Sequence, residues 1–350
     1  MAPSHLVVLQ HGLYGGPMHL TALADELMQR QPRELLVHQA RSNEGLTRDG
    51  VAAGGERLAA EIREVVARES SLESITLVGN SLGGLYVRHA AASLLEGSGD
   101  DATMAGLRPD ALVTTGCPHL GVRRYTYLPV PRWLRPAGVL IAGATADDLL
   151  LRDASRLLVE MSVPSSAFGE ALGVFSRRRC YANLRGDFMV PFGSAAIETA
   201  PWGWGVDDEQ HARAFASRAG VAFTDDAVVD GRKDGIGVVC EARAEAMRLP
   251  RRRRQSEWID DENDDGGESG GLEELMRSGL HAHGWSKVGI GFASATATSP
   301  LAHNRLVALR REAGWRQGFG EWVERTQEGA FVMADCAEYI AGGGGGPPVR

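Results

Sequence analysis

The stretch TLVGNSLGG, residues 76–84, is a short apolar run that leads directly into a Gly-x-Ser-x-Gly turn. In a nucleophile elbow, this turn joins a strand to a helix and holds the serine in a strained backbone conformation. The elbow needs small residues two positions to either side of the serine, because larger side chains would clash there. An apolar strand-like run precedes Ser81, and the residues after it have the spacing of an amphipathic helix. The stretch therefore predicts a nucleophilic Ser81 in an elbow formed by Gly79, Asn80 and Gly83.

A second Gly-x-Ser-x-Gly match, GESGG, is centred on Ser269. It lies in DDENDDGGESGG, an acidic and glycine-rich stretch that cannot bury enough apolar surface to become ordered. Ser81 is therefore the predicted nucleophile. The alternative for Ser81 is a structural role as the N-cap of the helix that follows it.

Strand-like runs alternate with helical patterns on both sides of the elbow. Strands are predicted at LVVLQ (6–10), LLVHQA (35–40), SITLVG (74–79), ALVTTG (111–116), RRCYANL (178–184) and KVGIGFA (287–293), and helices at 19–30, at 54–69 and directly after Ser81. This alternation predicts the α/β fold class, with a parallel sheet covered by helices on both faces. Functional groups of such folds lie beyond the carboxyl ends of the strands. The stretch EWVERTQEGAFVMADCAEYIA is predicted to be a final helical region packed on the sheet.

Length and composition allow one large α/β domain or two smaller ones, since the chain has 350 residues of which 43% are hydrophobic and 23% charged. We predict a single domain over residues 1–350. The net charge of -8 gives no electrostatic reason to expect a nucleic-acid partner. No apolar run has the length of a membrane-spanning helix and no signal sequence is recognisable, so we expect a cytoplasmic protein.

The four cysteines are widely scattered and form no C-x-x-C pair. This spacing indicates neither a zinc site nor a disulfide framework, and buried free thiols are expected instead. No ligand spacing in the sequence suggests a metal or an organic cofactor, and we predict none.

A serine hydroxyl becomes a good nucleophile when a base accepts its proton and an acid orients that base. In α/β proteins with this elbow, the chain order is serine, then Asp or Glu, then His. His303 follows the last predicted strand and is the predicted base, the alternative being a surface histidine. Asp187 directly follows a strand and is the predicted acid, the alternative being a turn-forming aspartate. Asp153 and Asp234 are the other candidates for the acid.

The negative charge that develops in such a reaction requires two backbone N–H groups as an oxyanion hole. Leu82, the residue after the nucleophile, is predicted to supply one of them. Leu13, in the loop QHGLYGG after the first strand, is predicted to supply the other, because the glycines of this loop let the backbone approach the site. The alternative for this loop is an ordinary glycine turn.

Several linked motifs together resemble the DUF676 family of serine esterases and lipases. In chain order they are HGLYG, SNEGLTRDGVAAGGERLAAEI, VGNSLGGLYVRHA, GCPHLGVR, YANLRGDFMVPF, W-x-K-V and LAHN. The resemblance implies an α/β-hydrolase fold and hydrolysis of carboxylic esters, with lipid acyl esters as expected substrates. It also implies that Ser81, Asp187 and His303 form the triad. Asn80 departs from the family pattern, which usually has histidine before the serine, and the segment between residues 200 and 271 is longer and richer in charge and glycine than the family core.

Residues 120–164 interrupt the sheet pattern and contain the apolar run YTYLPVPRWLRPAGVLIAG. We predict a lid or acyl pocket here, with Tyr127, Trp133 and Leu134 as substrate-pocket residues. The alternative is a hydrophobic cap packed permanently on the core.

Two further segments are predicted to lie outside the packed core. Residues 250–271 are predicted to be a disordered charged insertion, and its RRRR cluster is interpreted as a solvated loop, the alternative being a nuclear import signal or a phosphate contact. Residues 342–350 are predicted to be a flexible tail.

The sequence thus predicts a serine hydrolase that cleaves carboxylic esters through an acyl-enzyme on Ser81. The alternatives are an acyltransferase with the same triad and a binding protein of hydrolase shape without turnover. The expected partner is a small-molecule or lipid ester, with transient contact to a membrane or lipid surface and no specific protein partner.

Overall fold

The computed structural model of the chain describes residues 2–30, 34–123, 143–184, 187, 189–198, 238–244, 271–291, 302–311, 322–325 and 327–342. Among them, no helix is both long and apolar enough to cross a membrane.

A seven-stranded sheet forms the centre of the structure, in the order β2-β1-β3-β6-β7-β9-β8. Its strands are β1 (His5–Gln10), β2 (Leu35–Gln39), β3 (Ser74–Asn80), β6 (Arg108–Thr115), β7 (Arg177–Asn183), β8 (Val238–Ala244) and β9 (Trp285–Gly291). The first six strands of this order pair in parallel, and β8 pairs antiparallel with β9 at one edge. Two small two-stranded sheets accompany it, formed by β4 (Leu95–Glu96) with β5 (Thr103–Met104) and by β10 (Leu309–Arg311) with β11 (Trp322–Arg325).

Helices connect the strands and cover both faces of the sheet. They are α1 (Thr21–Arg30), α2 (Val51–Arg68), α3 (Leu82–Leu94), α4 (Ala144–Leu149), α5 (Leu157–Glu160), α6 (Ala167–Gly173), α7 (Phe192–Ala195), α8 (Gly271–His281), α9 (Ala302–Arg305) and α10 (Gln327–Ile340). One apolar cluster packs α2 and α3 on one face, and a second cluster packs α1 and α10 on the other. All seven residues of β3 are buried, which explains its continuous apolar sequence.

The predicted fold class is confirmed, because the sheet is mostly parallel, lies between helices and carries a strand–turn–helix elbow at β3 and α3, as in α/β-hydrolases. All six predicted strands are present, although the last one covers Trp285–Gly291 rather than 287–293, and residues 292–293 lie outside the described residues. Cys117, Cys180 and Cys336 are buried and free, as expected.

Two details of the fold differ from the prediction. The final region predicted as helical is helical only over Gln327–Ile340, because Trp322–Arg325 forms a strand that pairs with Leu309–Arg311. The edge strand Val238–Ala244 was not predicted, since it lies in the segment interpreted as a charged and glycine-rich insertion. Its antiparallel pairing is a common feature at the edge of an otherwise parallel sheet.

The segment predicted as a lid or cap is described only at its two ends. Residues 120–123 and 143–164 are described, whereas residues 124–142, including Tyr127, Trp133 and Leu134, lie outside the described residues. In the described part, Leu157, Leu158 and Val159 of α5 are buried in the apolar cluster that packs α2 and α3 on the sheet. The insertion at 250–271 and the tail at 342–350 also lie almost entirely outside the described residues. The lid, the insertion and the tail stay predictions.

Candidate active site

Ser81 lies at the junction between β3 and α3, with backbone angles φ 55° and ψ -128°. A positive φ is unfavourable for any residue with a Cβ, so the surrounding structure must hold this conformation in place. Its side chain forms no hydrogen bond that would cap α3, so the alternative role as an N-cap receives no support. Ser81 is buried and follows the carboxyl end of a central strand.

Gly79 and Gly83 allow the backbone to pack closely around Ser81. A Cβ added to Gly79 would overlap the carbonyl group of Gly83, and one added to Gly83 would overlap the carbonyl oxygen of Gln10 on β1. A side chain at Gly79 would therefore push α3 away from β3, and one at Gly83 would push α3 away from the end of β1. This packing explains why the elbow needs small residues two positions to either side of Ser81.

Asp187 lies beyond the carboxyl end of β7, where its carboxylate is buried and accepts four hydrogen bonds. Oδ1 accepts from the backbone N–H groups of Met189 (3.0 Å) and Val190 (2.9 Å). Oδ2 accepts from Asn183 Nδ2 at 2.8 Å and lies 2.8 Å from His303 Nδ1. These donors come from two sides of the carboxylate and fix its orientation toward His303.

His303 lies in the short helix α9, which follows β9 in the chain, and its ring is buried. Because the carboxylate of Asp187 can only accept, Nδ1 of His303 carries the proton that it shares with Oδ2. In the neutral ring Nε2 is then the acceptor nitrogen. Nε2 is buried and has no hydrogen-bond partner within the described part of the chain. This arrangement gives His303 the tautomer that a general base requires.

The structure brings Asp187 and His303 into contact, but it does not place Ser81 in a hydrogen bond with Nε2 of His303. Gly116, at the end of β6, lies between the elbow and the histidine. A Cβ added there would lie 2.8 Å from His303 Cε1 and 3.1 Å from Nδ1. In unliganded active sites the contact between nucleophile and base is often long and shortens when substrate binds.

The loop after β1 passes directly over Ser81. A Cβ added to Gly12 would lie 2.7 Å from Ser81 Cβ and 3.2 Å from Ser81 Oγ. The N–H of Leu13 forms no hydrogen bond among the described residues, and Leu82, the first residue of α3, has no acceptor within its helix. Both predicted oxyanion-hole residues therefore belong to segments that adjoin Ser81.

Two buried histidines, His11 and His19, lie beside this loop. Burial lowers the pKa of His11, and it lowers the pKa of His19 to about 4. Both rings are therefore neutral at neutral pH and add no positive charge beside the loop. His11 Nδ1 is 3.1 Å from the carbonyl oxygen of Gly12, which links the ring to the backbone that approaches Ser81.

Asp153, another candidate for the acid, forms no hydrogen bond with His303 in the described part of the chain. Asp153 Oδ2 accepts hydrogen bonds from Ser155 Oγ and from the N–H of Leu157, so it caps the start of α5. Asp234 and the second serine motif at Ser269 lie outside the described residues. Among the residues that the structure describes, no group of three or more His, Cys, Asp or Glu side chains could hold a metal ion.

Sequence reasoning missed two residues that support the site. Asn183 donates to Asp187, and it lies four positions before it in the motif YANLRGDFMVPF. Thr115 donates a hydrogen bond from Oγ1 to Asn80 Oδ1 across 2.9 Å. The position of each residue at the carboxyl end of a strand was the available signal, but strand pairing was needed to identify the contacts.

A family model described as "Putative serine esterase (DUF676)" matches residues 1–199 of the chain. The "Putative lipase C4A8.10" of Schizosaccharomyces pombe is 31% identical over 215 residues, which cover 57% of this chain and 27% of that protein. The "Putative lipase ROG1" of Saccharomyces cerevisiae is 32% identical over 206 residues, 55% of this chain and 28% of that protein. The match thus spans less than a third of the length of either relative.

Solved structures of hydrolases are also similar to the chain. The Bacillus licheniformis lipase BlEst2 in mature form has 18% sequence identity and a TM-score of 0.35, over 56% of this chain and 70% of that chain. A structure described as a "Putative hydrolase" from Agrobacterium vitis S4 has 14% identity and a TM-score of 0.36, over 55% of this chain and 74% of that chain.

Proposed function

The chain belongs to the DUF676 family of serine esterases, and we propose that it cleaves carboxylic esters through an acyl-enzyme on Ser81. The observation that carries the proposal is the contact between Asp187 and His303, which leaves Nε2 of the histidine as a buried acceptor. The His303 ring adjoins Gly116. Gly116 directly follows Thr115 of β6, whose carbonyl oxygen accepts a hydrogen bond from the Ser81 N–H. A family relationship and a hydrolase fold support the same reaction class.

In the proposed reaction, Ser81 Oγ attacks the ester carbonyl carbon while His303 Nε2 accepts the hydroxyl proton. Asp187 keeps the imidazole in the required tautomer and stabilises the imidazolium that forms. His303 then returns the proton to the leaving alcohol, so that the C–O bond breaks and an acyl-serine remains. A water molecule, deprotonated by the same nitrogen, then attacks the acyl carbon. The bond from this carbon to Ser81 Oγ breaks, His303 returns the proton to Oγ, and the carboxylic acid is released.

The N–H groups of Leu13 and Leu82 are proposed to stabilise the oxyanion. Their support is the close approach of Gly12 to Ser81 and the position of Leu82 at the first turn of α3. The N-terminus of a helix carries a partial positive charge, which adds to the effect of the N–H itself. One such donor typically contributes about 2.7–4 kcal/mol to transition-state stabilisation.

A lipid acyl ester is the proposed substrate class, and exposed apolar side chains at the site edge support it. Tyr14 and Met18 follow β1, and Leu46 follows β2, so all three lie at the sheet edge that carries Ser81. They are 56%, 64% and 45% exposed. The N–H of Tyr14 donates to Thr47 Oγ1, which joins the two loops into one surface. A surface of this kind beside a hydrolytic site suits transient contact with lipid.

Hydrolysis of a soluble ester such as p-nitrophenyl butyrate tests the reaction class. The wild-type chain is expected to release nitrophenolate and butyrate, whereas Ser81→Ala is expected to lose at least about 10³-fold of the rate. Ser269→Ala, in the second serine motif, is the matched control and should keep the wild-type rate. Butyrate as the main product in the presence of added alcohol supports hydrolysis, and the alcohol ester as the main product would indicate the acyltransferase alternative.

Binding of the Ser81→Ala variant to phosphatidylcholine vesicles tests the proposed contact with lipid. The variant is used so that no lipid is hydrolysed during the measurement. Replacing Tyr14, Met18 and Leu46 together by serine is expected to lower the partition coefficient at least tenfold, since each apolar side chain contributes on the order of 1 kcal/mol on partial burial. Met28→Ser is the matched control, because Met28 is 41% exposed but lies on α1. Equal binding by the triple variant and by the control would contradict a lipid-facing role of these loops.

A further inference from the structure

Asn80 and Thr115 form a buried hydrogen bond between the ends of two central strands. They are register partners in the parallel pair of β3 and β6, and Thr115 Oγ1 donates to Asn80 Oδ1 across 2.9 Å. The backbone N–H of Ser81 donates to the carbonyl oxygen of Thr115 across 2.8 Å. Thr115 therefore forms two hydrogen bonds with the elbow, one through its main chain and one through its side chain.

The residue after Thr115 touches the proposed base. Gly116 has φ 57°, and its N–H donates to the carbonyl oxygen of Tyr181 on β7 across 2.8 Å. A Cβ at this position would lie 2.8 Å from His303 Cε1, so the Gly116 backbone forms one wall of the space that holds the ring. Two consecutive residues, Thr115 and Gly116, thus contact the nucleophile on one side and the base on the other.

The Asn80–Thr115 pair lies on the sheet face that the His303 segment covers. Side chains alternate between the two faces of a sheet, so Asn80 points to the same side as Val78, and Thr115 to the same side as Val113. Val78 and Val113 belong to the apolar cluster that contains Leu306, three residues after His303. The hydrogen bond between β3 and β6 therefore lies on the face of the sheet against which the segment carrying His303 packs.

We propose that Asn80 and Thr115 are positioning residues that set the approach of His303 Nε2 to Ser81 Oγ. The inference rests on the proposed function, because it concerns the geometry of that reaction. Neither side chain contacts the reacting atoms, and both act through the ends of β3 and β6. Errors of about 1 Å in such geometry can lower a rate on the order of 10²-fold.

The amide of Asn80 suits this role because it does not titrate. An imidazole at this position would change its charge around its ordinary pKa of about 6.5. An asparagine oxygen accepts the Thr115 hydrogen bond at every pH at which the chain is folded. The bond between the two strand ends therefore has the same strength above and below neutral pH.

The second-order rate of labelling by an active-site-directed fluorophosphonate tests the proposal. Thr115→Val and Asn80→Ala are each expected to slow labelling by about 10- to 100-fold, because each loses the bond that fixes the geometry. The final labelled fraction should equal that of the wild type, since folded molecules still react. Thr115→Ser keeps the hydroxyl and should restore the rate to within about threefold.

Thr114→Val is the matched control. Thr114 is the neighbouring residue of β6, is equally buried, and pairs its hydroxyl with His119 Nε2 at 2.9 Å on the opposite face of the sheet. The Thr114→Val variant loses a buried hydrogen bond of the same kind, but position 114 does not contact Asn80 or the His303 segment. Its labelling rate is expected to stay at the wild-type value.

The double variant Asn80→Ala/Thr115→Val adds a further test, since two partners of one hydrogen bond have non-additive effects. It should label no more than about threefold more slowly than the slower single variant. Wild-type rates in both single variants, or an equal loss in Thr114→Val, would overturn the inference while leaving the proposed function intact. A folded wild-type chain that does not label would overturn the proposed function and this inference together.

Discussion

His303 Nδ1 lies 2.8 Å from Asp187 Oδ2, although 116 positions separate the two residues in the chain. Asp187 follows β7 and His303 follows β9, and these two strands are neighbours in the sheet. Parallel pairing puts the carboxyl ends of both strands at the same edge, which also carries Ser81 after β3. The contact is thus a direct consequence of sheet order.

Asp187→Asn is expected to lower kcat for a soluble ester by about 10⁴-fold, the size of effect found when a triad acid can no longer fix the tautomer of its histidine. KM should change little, because the carboxylate contacts His303 and not the substrate. Asp153→Asn is the control, since Asp153 caps α5 and does not reach His303. A loss in Asp153→Asn equal to that in Asp187→Asn would mean that the acid is assigned to the wrong residue.

Gly116→Ala is expected to lower kcat by at least about 10²-fold, because the new methyl group would displace the His303 ring. The positive φ of Gly116 adds backbone strain and should lower the melting temperature as well. Gly173→Ala is the control, since the nearest described atom to its added Cβ would be His283 Nδ1, at an ordinary contact distance of 3.4 Å. Wild-type kcat in Gly116→Ala would contradict the placement of the ring against Gly116.

The stability of the fold is expected to depend on the ionisation of Asp148. Burial raises the pKa of its carboxyl from 3.8 to about 6, while the N–H of Val51 donates to Oδ2 across 2.6 Å. The folded chain therefore binds this proton more tightly than the unfolded chain does, and its contribution to the free energy of unfolding falls as pH rises from about 4 to about 6. Urea unfolding at pH 4 and pH 7.5 measures the effect.

Asp148→Asn removes this ionisation and provides the comparison. The free energy of unfolding of the wild type minus that of the variant should be more positive at the lower pH, because only the wild type gains from protonation. A difference that is the same at both pH values would show that the carboxyl titrates as it does in water.

Lys287→Met is expected to lower the free energy of unfolding by about 3 kcal/mol, because it removes one partner of a buried ion pair. Lys287 Nζ donates to Glu198 Oε1 across 2.7 Å and to the carbonyl oxygen of Ile197 across 3.1 Å. Arg68→Ala should cost no more than about 0.5 kcal/mol, since the Arg68–Glu64 pair is exposed. Equal costs in urea unfolding would contradict the burial of Lys287.

The sequence predicted those parts of the fold and the site that depend on local patterns. The apolar run before Ser81 and the helical spacing after it define the elbow, and the run is largely apolar because all seven residues of β3 are buried. Chain order and a preceding strand led to the prediction of Asp187 and His303, and the strand order places the ends of β7 and β9 side by side.

The remaining features depend on pairing between distant segments. The strand Val238–Ala244 lies in a segment rich in charge and glycine, and only its pairing with β9 makes it a strand. Trp322–Arg325 likewise pairs with the distant segment Leu309–Arg311, and this pairing was not visible in the local sequence pattern. The role of Thr115 required the register between β3 and β6, which no single-sequence pattern specifies.

Mass spectrometry of the fluorophosphonate-treated chain is the decisive test of Ser81 as the nucleophile, because it identifies the residue that carries the adduct. We predict one phosphonyl group per wild-type chain, on the peptide that contains Ser81, and no adduct on folded Ser81→Ala. An adduct on a different residue, or a folded wild-type chain without any adduct, would contradict the assignment of Ser81 as the nucleophile.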